Sequence, residues 1–353
     1  LLISFGDRAK QKAYDDTEDA LEVLEAAQSG ILEIGQAGSS GSGDVESAAK
    51  EQMQRHIESA RQRRSGENPI QGVRTGWDDI DKMTSGFEDQ EYIVIAARPS
   101  MGKTAWAINA ALNAINDGNS IAFFSLEMGK KELLDRMAGC LARLDMQKIK
   151  QGWATDAELR RMVKAMKMIQ KFPIKIIDDP GITSGEFRAK SRRLVRNEGV
   201  DMIIVDYLQL FEGSGDGDTR EQEVSQISRQ MKITAKELDV PVVALSQLNR
   251  KPMNRGGGKR PKVSDLRESG AIEQDADIIA FIHRVERATD LDEHDKLGVD
   301  PTGLCDFIIG KQRNGPVGTC YLRFEKQYGR FSEINLADEY GVTDVDEHEL
   351  VQG

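Results

Sequence analysis

The seven residues Arg98-Pro-Ser-Met-Gly-Lys-Thr104 have the residue types and spacing of a loop that binds phosphate. They follow the apolar stretch Tyr92–Ala97 and precede an alanine-rich segment, which is the strand–loop–helix context that a P-loop requires. Backbone N–H groups of such a loop and of the helix N-terminus form an anion cradle. Gly102 leaves room for a phosphate, Lys103 can reach the β- and γ-phosphates, and Thr104 can hold Mg²⁺ through its hydroxyl.

The first position of this motif departs from the usual pattern, because Ala97 stands where glycine is expected. That position needs a small residue more than a special backbone dihedral angle, so the prediction of an ATP and Mg²⁺ site stands. The predicted nucleotide-binding residues are Ala97, Arg98, Pro99, Ser100, Met101, Gly102, Lys103 and Thr104.

An acidic residue ends a second apolar stretch, Met202-Ile-Ile-Val-Asp206. Four apolar residues followed by Asp206 place a carboxylate at the C-terminal edge of a parallel sheet, where ligands bind. Such a residue can hold a metal ion through its water shell, as a Walker-B carboxylate does. An aspartate at a strand end is also common as a helix cap, but the adjacent P-loop favours the metal role.

Two further polar residues follow predicted strands. Glu127 comes after Ile121–Leu126 and can polarise an attacking water near a γ-phosphate; the alternative is a surface pair with a nearby lysine. Gln247 comes after the stretch that begins at Val242. It either senses the γ-phosphate or caps a loop.

A cationic segment, Arg250–Lys262, contains three consecutive glycines and no acidic residue. This composition suits contact with nucleic-acid phosphates without base readout, although a solvated loop often has the same composition. Its basic residues are Arg250, Lys251, Arg255, Lys259, Arg260 and Lys262.

Short apolar runs alternate with helical periodicity from about residue 73 onward. The runs are continuous, which indicates strands buried on both faces and a mainly parallel sheet flanked by helices, hence an α/β fold. The predicted strands are Tyr92–Ala97, Ile121–Leu126, Ile174–Ile177, Met202–Leu208, Val242–Leu245, Ile278–Ile282 and Phe307–Ile309. The predicted helices are Ala105–Ile115, Lys130–Leu144, Asp156–Phe172, Ser184–Arg196 and Glu221–Leu238.

The N-terminal part is organised differently. Residues 13–34 predict an amphipathic helix with one apolar stripe, the run Gly35–Gly43 indicates a flexible linker, and a polar helix is predicted over Val45–Arg64. A tethered helix with one apolar stripe needs a partner surface. That surface is either its own domain or a neighbouring subunit, and we favour the neighbour.

Composition narrows the function classes. The chain has 353 residues and a net charge of −11, an average that argues against a protein that coats nucleic acid. Twelve acidic residues, however, lie in residues 15–25 and 338–353, which contain no Lys or Arg. The remainder is nearly neutral, and cationic loops within it are compatible with weak binding to DNA.

Cysteine usage and hydropathy point to a reducing compartment. Cys140, Cys305 and Cys320 are far apart and form no C-x-x-C pattern, which argues against a disulfide framework or a structural zinc site. No apolar run approaches the roughly 18 residues of a membrane helix, and charges interrupt any signal-peptide pattern. We expect a soluble, cytoplasmic protein and, because the first residue is not Met, a piece of a longer chain.

The motifs together resemble the C-terminal ATPase domain of the DnaB family of bacterial and phage replicative DNA helicases, of superfamily 4. The resemblance spans residues 75–334 and implies a RecA-like P-loop fold. The stretches that carry it are Thr75–Asp81, Ala97–Thr104, Phe124–Met128, Val205–Gln209, Leu245–Arg250, Ser264–Gly270, Ile272–Asp277 and Lys311–Gly315.

The resemblance implies roles for matching positions. Lys103, Thr104 and Asp206 bind triphosphate and metal, Glu127 activates water, and Gln247 senses the γ-phosphate. Lys311 and Arg313 match a sensor lysine and an arginine finger that reach a neighbouring subunit's phosphates, although a solvated pair at a strand end has the same spacing. The implied DNA contacts are Arg267, Glu268 and Gly270 in one channel loop, Arg250 beside it, and Arg220 in the other.

The implied domain plan has five parts. Residues 1–12 are the remnant of a missing N-terminal domain, 13–34 a linker helix that docks on a neighbouring subunit, 35–72 a linker with a polar helix, 73–336 the helicase domain and 337–353 an acidic tail. The implied partners are single-stranded DNA, further copies of the chain in a homohexamer, a primase and a helicase loader, with 5′ to 3′ translocation and no membrane. The alternatives are a strand-exchange recombinase of the same fold and a scaffold that uses ATP only as a clamp.

Overall fold

A computed structural model of the protein describes residues 70–211, 220–248, 260–266, 270–284 and 303–334, with scattered positions between residues 49 and 64. The chain divides into two units, Leu1–Pro69 and Ile70–Gly353. In the first unit the described positions are helical, as predicted for Val45–Arg64. The helix predicted over residues 13–34, the run Gly35–Gly43 and the acidic tail lie outside the described residues.

The second unit is built on one sheet. Its strands are β1 (Tyr92–Ala97), β2 (Ile121–Ser125), β3 (Ile174–Ile177), β4 (Met202–Asp206), β5 (Val242–Gln247), β6 (Ile278–Arg284), β7 (Leu304–Gln312), β8 (Gly318–Glu325) and β9 (Arg330–Glu333). Among the described residues they follow the order β3-β2-β4-β5-β1-β6-β7-β8-β9. Neighbours from β3 to β6 pair in parallel, and β7, β8 and β9 add antiparallel strands. The predicted mainly parallel α/β sheet is therefore confirmed.

The helices connect the strands and cover both faces. They are α1 (Asp78–Thr84), α2 (Lys103–Asn116), α3 (Lys130–Ala142), α4 (Met146–Lys150), α5 (Asp156–Ile169), α6 (Ser184–Glu198), α7 (Arg220–Leu238) and α8 (Gly270–Asp275). Short 3₁₀ helices cover Leu208–Leu210 and Val263–Leu266. Helices α5 and α6 each begin with a capping box, in which a threonine and the glutamate three residues later satisfy each other's backbone N–H groups.

The sequence-based bounds differ from the structure mainly at element ends. The strand predicted to run to Leu208 stops at Asp206, and the helix predicted to Phe172 stops at Ile169. Strands β8 and β9 were not predicted, because a strand with only one buried face does not produce a continuous apolar run. In β8 buried and partly buried residues alternate, which is the pattern of a strand with one buried face.

Two apolar cores hold the sheet. Helices α2, α3 and α5 pack on one face, and α6, α7 and α8 pack on the other. The first core centres on Trp106 of α2, whose ring stacks between Trp77 at 5.5 Å and Phe307 of β7 at 5.3 Å between ring centroids. This aromatic stack fixes the helix that follows the phosphate loop against the sheet.

No helix in the described parts of the chain is long and apolar enough to cross a membrane.

We expect Trp106→Ala to lower the free energy of unfolding by about 3–5 kcal/mol, because the change removes a fully buried aromatic side chain and leaves a cavity. Chemical denaturation followed by circular dichroism measures this. The matched control is Trp153→Ala, at a side chain that is 71% exposed, which should shift the value by less than about 0.5 kcal/mol. Equal effects of the two changes would contradict the assigned role of the aromatic stack.

Candidate active site

The phosphate loop lies between β1 and α2, as predicted. Gly102 has φ 100°, in the left-handed region that favours glycine. A Cβ atom at this position would also lie 3.2 Å from the Phe331 ring. Both observations explain why the last loop residue before α2 is glycine.

Three side chains meet at the C-terminal edge of the sheet. The Thr104 hydroxyl donates to Asp206 Oδ2 at 2.6 Å, and Lys103 Nζ lies 3.3 Å from Asp206 Oδ1. The Asp206 side chain is 1% exposed and the Lys103 side chain 10%. The structure thus brings together the three residues that sequence analysis placed at the metal and triphosphate.

The Lys103 ammonium is buried and incompletely satisfied. Burial lowers the pKa of Lys103, while the charges of Asp206 and Glu127 oppose that shift. The ammonium also lies 3.7 Å from the centroid of the Tyr207 ring. Among the described residues neither Lys103 Nζ nor Asp206 Oδ1 has a hydrogen-bond partner. A buried ammonium and a buried carboxylate oxygen, whose contact with each other is the 3.3 Å ion pair, fit a site that a triphosphate and its metal ion complete.

A cleft of about 1330 Å³ opens over the phosphate loop. The predicted nucleotide-binding residues line it except Met101, whose side chain is buried in the core. The cleft residues from the loop are Ala97, Arg98, Pro99, Ser100, Gly102, Lys103 and Thr104.

Glu127 lines the same cleft, and its turn is held from two sides. The Leu126 N–H donates to the Asp206 carbonyl at 2.8 Å, and the Ser125 hydroxyl donates to the Met128 carbonyl at 2.6 Å. The exposed Glu127 carboxylate is therefore presented from a fixed turn beside the Walker-B strand.

Gln247 is the last residue of β5 and also lines the cleft. In the parallel register it lies level with Ala97, at the start of the phosphate loop. The side chain of Gln209 braces this strand end, since its amide donates to the Ser246 hydroxyl at 3.0 Å.

Sequence analysis missed Arg284, the last residue of β6. Its guanidinium donates to the Ser100 carbonyl at 2.9 Å and lies 4.9 Å from the centroid of the Phe324 ring. Arg284 therefore ties the phosphate loop to the neighbouring strand. The available signal was a basic residue at the C-terminal end of a predicted strand.

The turn between β8 and β9 forms one wall of the cleft, and it too was missed. Asn109 of α2 holds it, because the Asn109 amide donates to the Gly329 carbonyl at 2.8 Å and its oxygen accepts from the Phe331 N–H at 3.1 Å. The helix that follows the phosphate loop thus positions the wall as well.

Lys311 and Arg313 lie at the N-terminal end of the parallel strands, opposite the end that carries the phosphate loop. Lys311 pairs in register with Ile279 of β6, and the Arg313 N–H donates to the Asp277 carbonyl at 3.0 Å. The Asp277 N–H in turn donates to the carbonyl of Tyr92, the first residue of β1. The length of β1, about 17 Å for five strand steps, therefore separates Arg313 from the phosphate loop of its own chain. Burial and the neighbouring Arg313 charge lower the pKa of Lys311.

The predicted DNA contacts are only partly visible. Gly270 begins α8, and Arg220 begins α7. Arg250, Arg267, Glu268 and the Arg220 side chain lie outside the described residues. Arg260, one of the six cations of the predicted phosphate-contacting loop, pairs with the buried Asp306 of β7 at 2.9 Å. It therefore anchors the end of that segment on the sheet rather than extending as a solvated charge.

The sheet, the phosphate loop and the Lys103–Asp206 pair define a RecA-like P-loop ATPase. A sequence model described as DnaB-like helicase C terminal domain matches residues 72–333. The chain belongs to this family of replicative DNA helicases, which are ATP-hydrolysing enzymes.

Individual relatives agree with this assignment. The chain is 40% identical to "Replicative DNA helicase DnaC" of Bacillus subtilis, over 97% of this chain and 73% of the relative. It is 42% identical to "Replicative DNA helicase DnaB" of Geobacillus stearothermophilus, over 95% and 71%. The strand-exchange alternative is not favoured.

Two solved structures are similar in fold. One, described as an ATPase domain, has a TM-score of 0.72 and 38% identity, covering 84% of this chain and all of that one. The other, described as a DnaB-like replicative helicase and its interactions with primase, has a TM-score of 0.77 and 35% identity, covering 94% and 75%.

We expect Arg284→Gln to raise the KM for ATP about tenfold, because the Ser100 carbonyl loses a charged donor and the loop loses its tie to β6. Steady-state ATPase kinetics measure this. Arg193→Gln makes the same charge change at an exposed position on α6 and should leave KM unchanged. An unchanged KM in the Arg284 variant would mean that the loop keeps its conformation without this contact.

Proposed function

We propose that this chain is the motor of a ring-forming helicase that hydrolyses ATP at the interface between adjacent copies and moves along single-stranded DNA. The observation that carries the proposal is the position of Lys311 and Arg313 at the sheet edge opposite the phosphate loop. A positive pair so placed serves a second copy's nucleotide and not its own.

Within one site, the chain's own residues divide the work. Lys103 binds the β- and γ-phosphates, and Thr104 and Asp206 would hold Mg²⁺, which would supply neutralisation of the phosphate charge. Glu127, on its fixed turn, orients and polarises the attacking water. Gln247, level with the start of the phosphate loop, contacts the γ-phosphate and couples its presence to the position of the segment that follows β5.

The neighbouring copy completes the site. Arg313, with Lys311 beside it, stabilises the charge that develops on the transferring phosphoryl group, as arginine fingers do in other P-loop ATPases. The finger and the phosphate loop of one chain lie on different surfaces, so copies assemble head to tail. Such an interface closes into a ring or continues as a spiral. We propose a homohexamer.

The DNA contacts belong to the segments that follow β5, precede α8 and begin α7. Arg250 comes shortly after β5, and Arg267, Glu268 and Gly270 lead directly into α8. Arg267 and backbone N–H groups bind phosphates, Glu268 orients Arg267, and Arg220 contributes from the start of α7. Backbone binding without base readout suits movement along any sequence.

The remaining assignments rest on the family. Residues 13–34 dock on a neighbouring subunit, residues 35–72 link that segment to the motor at 73–336, and residues 337–353 are an acidic segment that follows the motor. The protein acts in the cytoplasm of a bacterium or of a phage host, moves 5′ to 3′, and works with a primase and a loader. The solved helicase described together with primase supports the first of these partners.

We expect Glu127→Gln to bind ATP with unchanged affinity while turnover falls at least about a hundredfold, because the water loses its general base. Fluorescent-nucleotide binding and DNA-stimulated ATPase assays, with unwinding of a tailed duplex, measure the two quantities. Glu132→Gln, the same change on the exposed face of α3, is the control. Wild-type turnover in the Glu127 variant would remove this residue from the role of base.

We expect Arg313→Ala to abolish turnover while preserving nucleotide binding, and to regain turnover when mixed with Lys103→Ala subunits. Those subunits cannot hydrolyse their own ATP but supply an intact Arg313 to a neighbour. Native mass spectrometry checks that mixed hexamers form. Mixed hexamers without restored turnover would refute action in trans, and filaments in place of rings would support the recombinase alternative.

A further inference from the structure

The last turn of α8 holds both basic side chains of the proposed finger. Lys311 Nζ donates to the carbonyl of Ala276 at 2.7 Å and to the carbonyl of Glu273, and Arg313 donates to the carbonyl of Gln274 at 2.7 Å. Carbonyl groups at a helix C-terminus lack partners within the helix and attract cations. The finger therefore rests on one specific helix end.

Asp277, two residues beyond α8, joins this helix end to the central strand. The residue is 6% exposed. Its Oδ2 accepts from the Tyr92 N–H at 2.8 Å and from the Lys232 ammonium at 2.6 Å. Its other oxygen, Oδ1, forms an ion pair with Arg313 Nε at 3.4 Å.

The two carboxylate oxygens of Asp277 therefore serve different purposes. The contacts of Oδ2 with β1 and with Lys232 of α7 hold buried structure together. Oδ1 instead faces Arg313, whose side chain is 48% exposed. Ion pairs of a partly exposed arginine contribute little to stability, so the contact of Oδ1 constrains the direction of the Arg313 side chain more than it stabilises the fold.

We propose that Asp277 is the positioning residue for the arginine finger: together with the carbonyls of the last α8 turn, it fixes the direction in which Arg313 faces the neighbouring subunit. The inference rests on the proposed action of Arg313 in trans. Because α8 begins at Gly270, directly after the proposed channel loop, the DNA contact lies at the N-terminal end of this short helix and the finger contacts its C-terminal end. DNA binding in one subunit then adjusts hydrolysis in the next.

The test is Asp277→Asn, which keeps an oxygen for the Tyr92 N–H and removes the charge that faces Arg313. We expect unchanged ATP KM, a turnover about tenfold to a hundredfold lower, and a reduced ratio of DNA-stimulated to basal rate. Mixing this variant with Lys103→Ala subunits should restore turnover, because those subunits offer a correctly held finger. If Lys103→Ala subunits rescue Arg313→Ala but not Asp277→Asn, the role of Asp277 is overturned and the action of Arg313 in trans stands. If they rescue neither variant, the action of Arg313 in trans is itself overturned.

Two further variants separate positioning from stability. Lys232→Met removes the other cation on Asp277 and should lower the melting temperature with turnover within about twofold of wild type. A loss of turnover equal to that of Asp277→Asn would show that the cluster acts through general structure and would overturn the inference. If Asp277→Asn does not fold, the double change Asp277→Asn with Lys232→Met leaves no unpaired ammonium and is carried through the same mixing assay.

Discussion

The structure depends on the parallel pairing of β1 with β5 on one side and β6 on the other. A strand paired on both sides and buried throughout has little freedom, so its two ends are held at a fixed separation. The C-terminal end delivers the phosphate loop. The N-terminal end receives Asp277 and, through it, Arg313.

The energetics of the two ends differ in kind. At the phosphate end, Lys103 and Asp206 are buried with hydrogen-bonding capacity unused, which costs stability in the protein alone and is recovered when a charged ligand binds. At the other end, the cations contact helix carbonyls and a carboxylate that is also bonded on its far side. One end is prepared for a ligand, and the other holds its charges in a defined direction.

Local sequence patterns were sufficient for the phosphate loop, for Asp206 and for the parallel strands, because each follows from a short run of residue types. Arg284 and the β8–β9 wall were missed for a physical reason. The Arg284 contact joins residues 184 positions apart, and no local period records which strand end meets which loop. The family motif that ends in Asp277 was visible in the sequence, but its contacts with Tyr92, Lys232 and Arg313 exist only in the folded chain.

Under the proposed action of Arg313 on a neighbouring copy's nucleotide, the separation of phosphate loop and finger by the length of one strand has an arithmetic consequence for assembly. In a row of copies that is open at its ends, the subunit at one end has a loop without a donor, and the subunit at the other end has a donor without a loop. An open spiral therefore has one fewer complete ATPase site than it has subunits, whereas a closed ring has as many sites as subunits. Each opening of the proposed ring would leave one site without its arginine, and the position of the gap would decide which one.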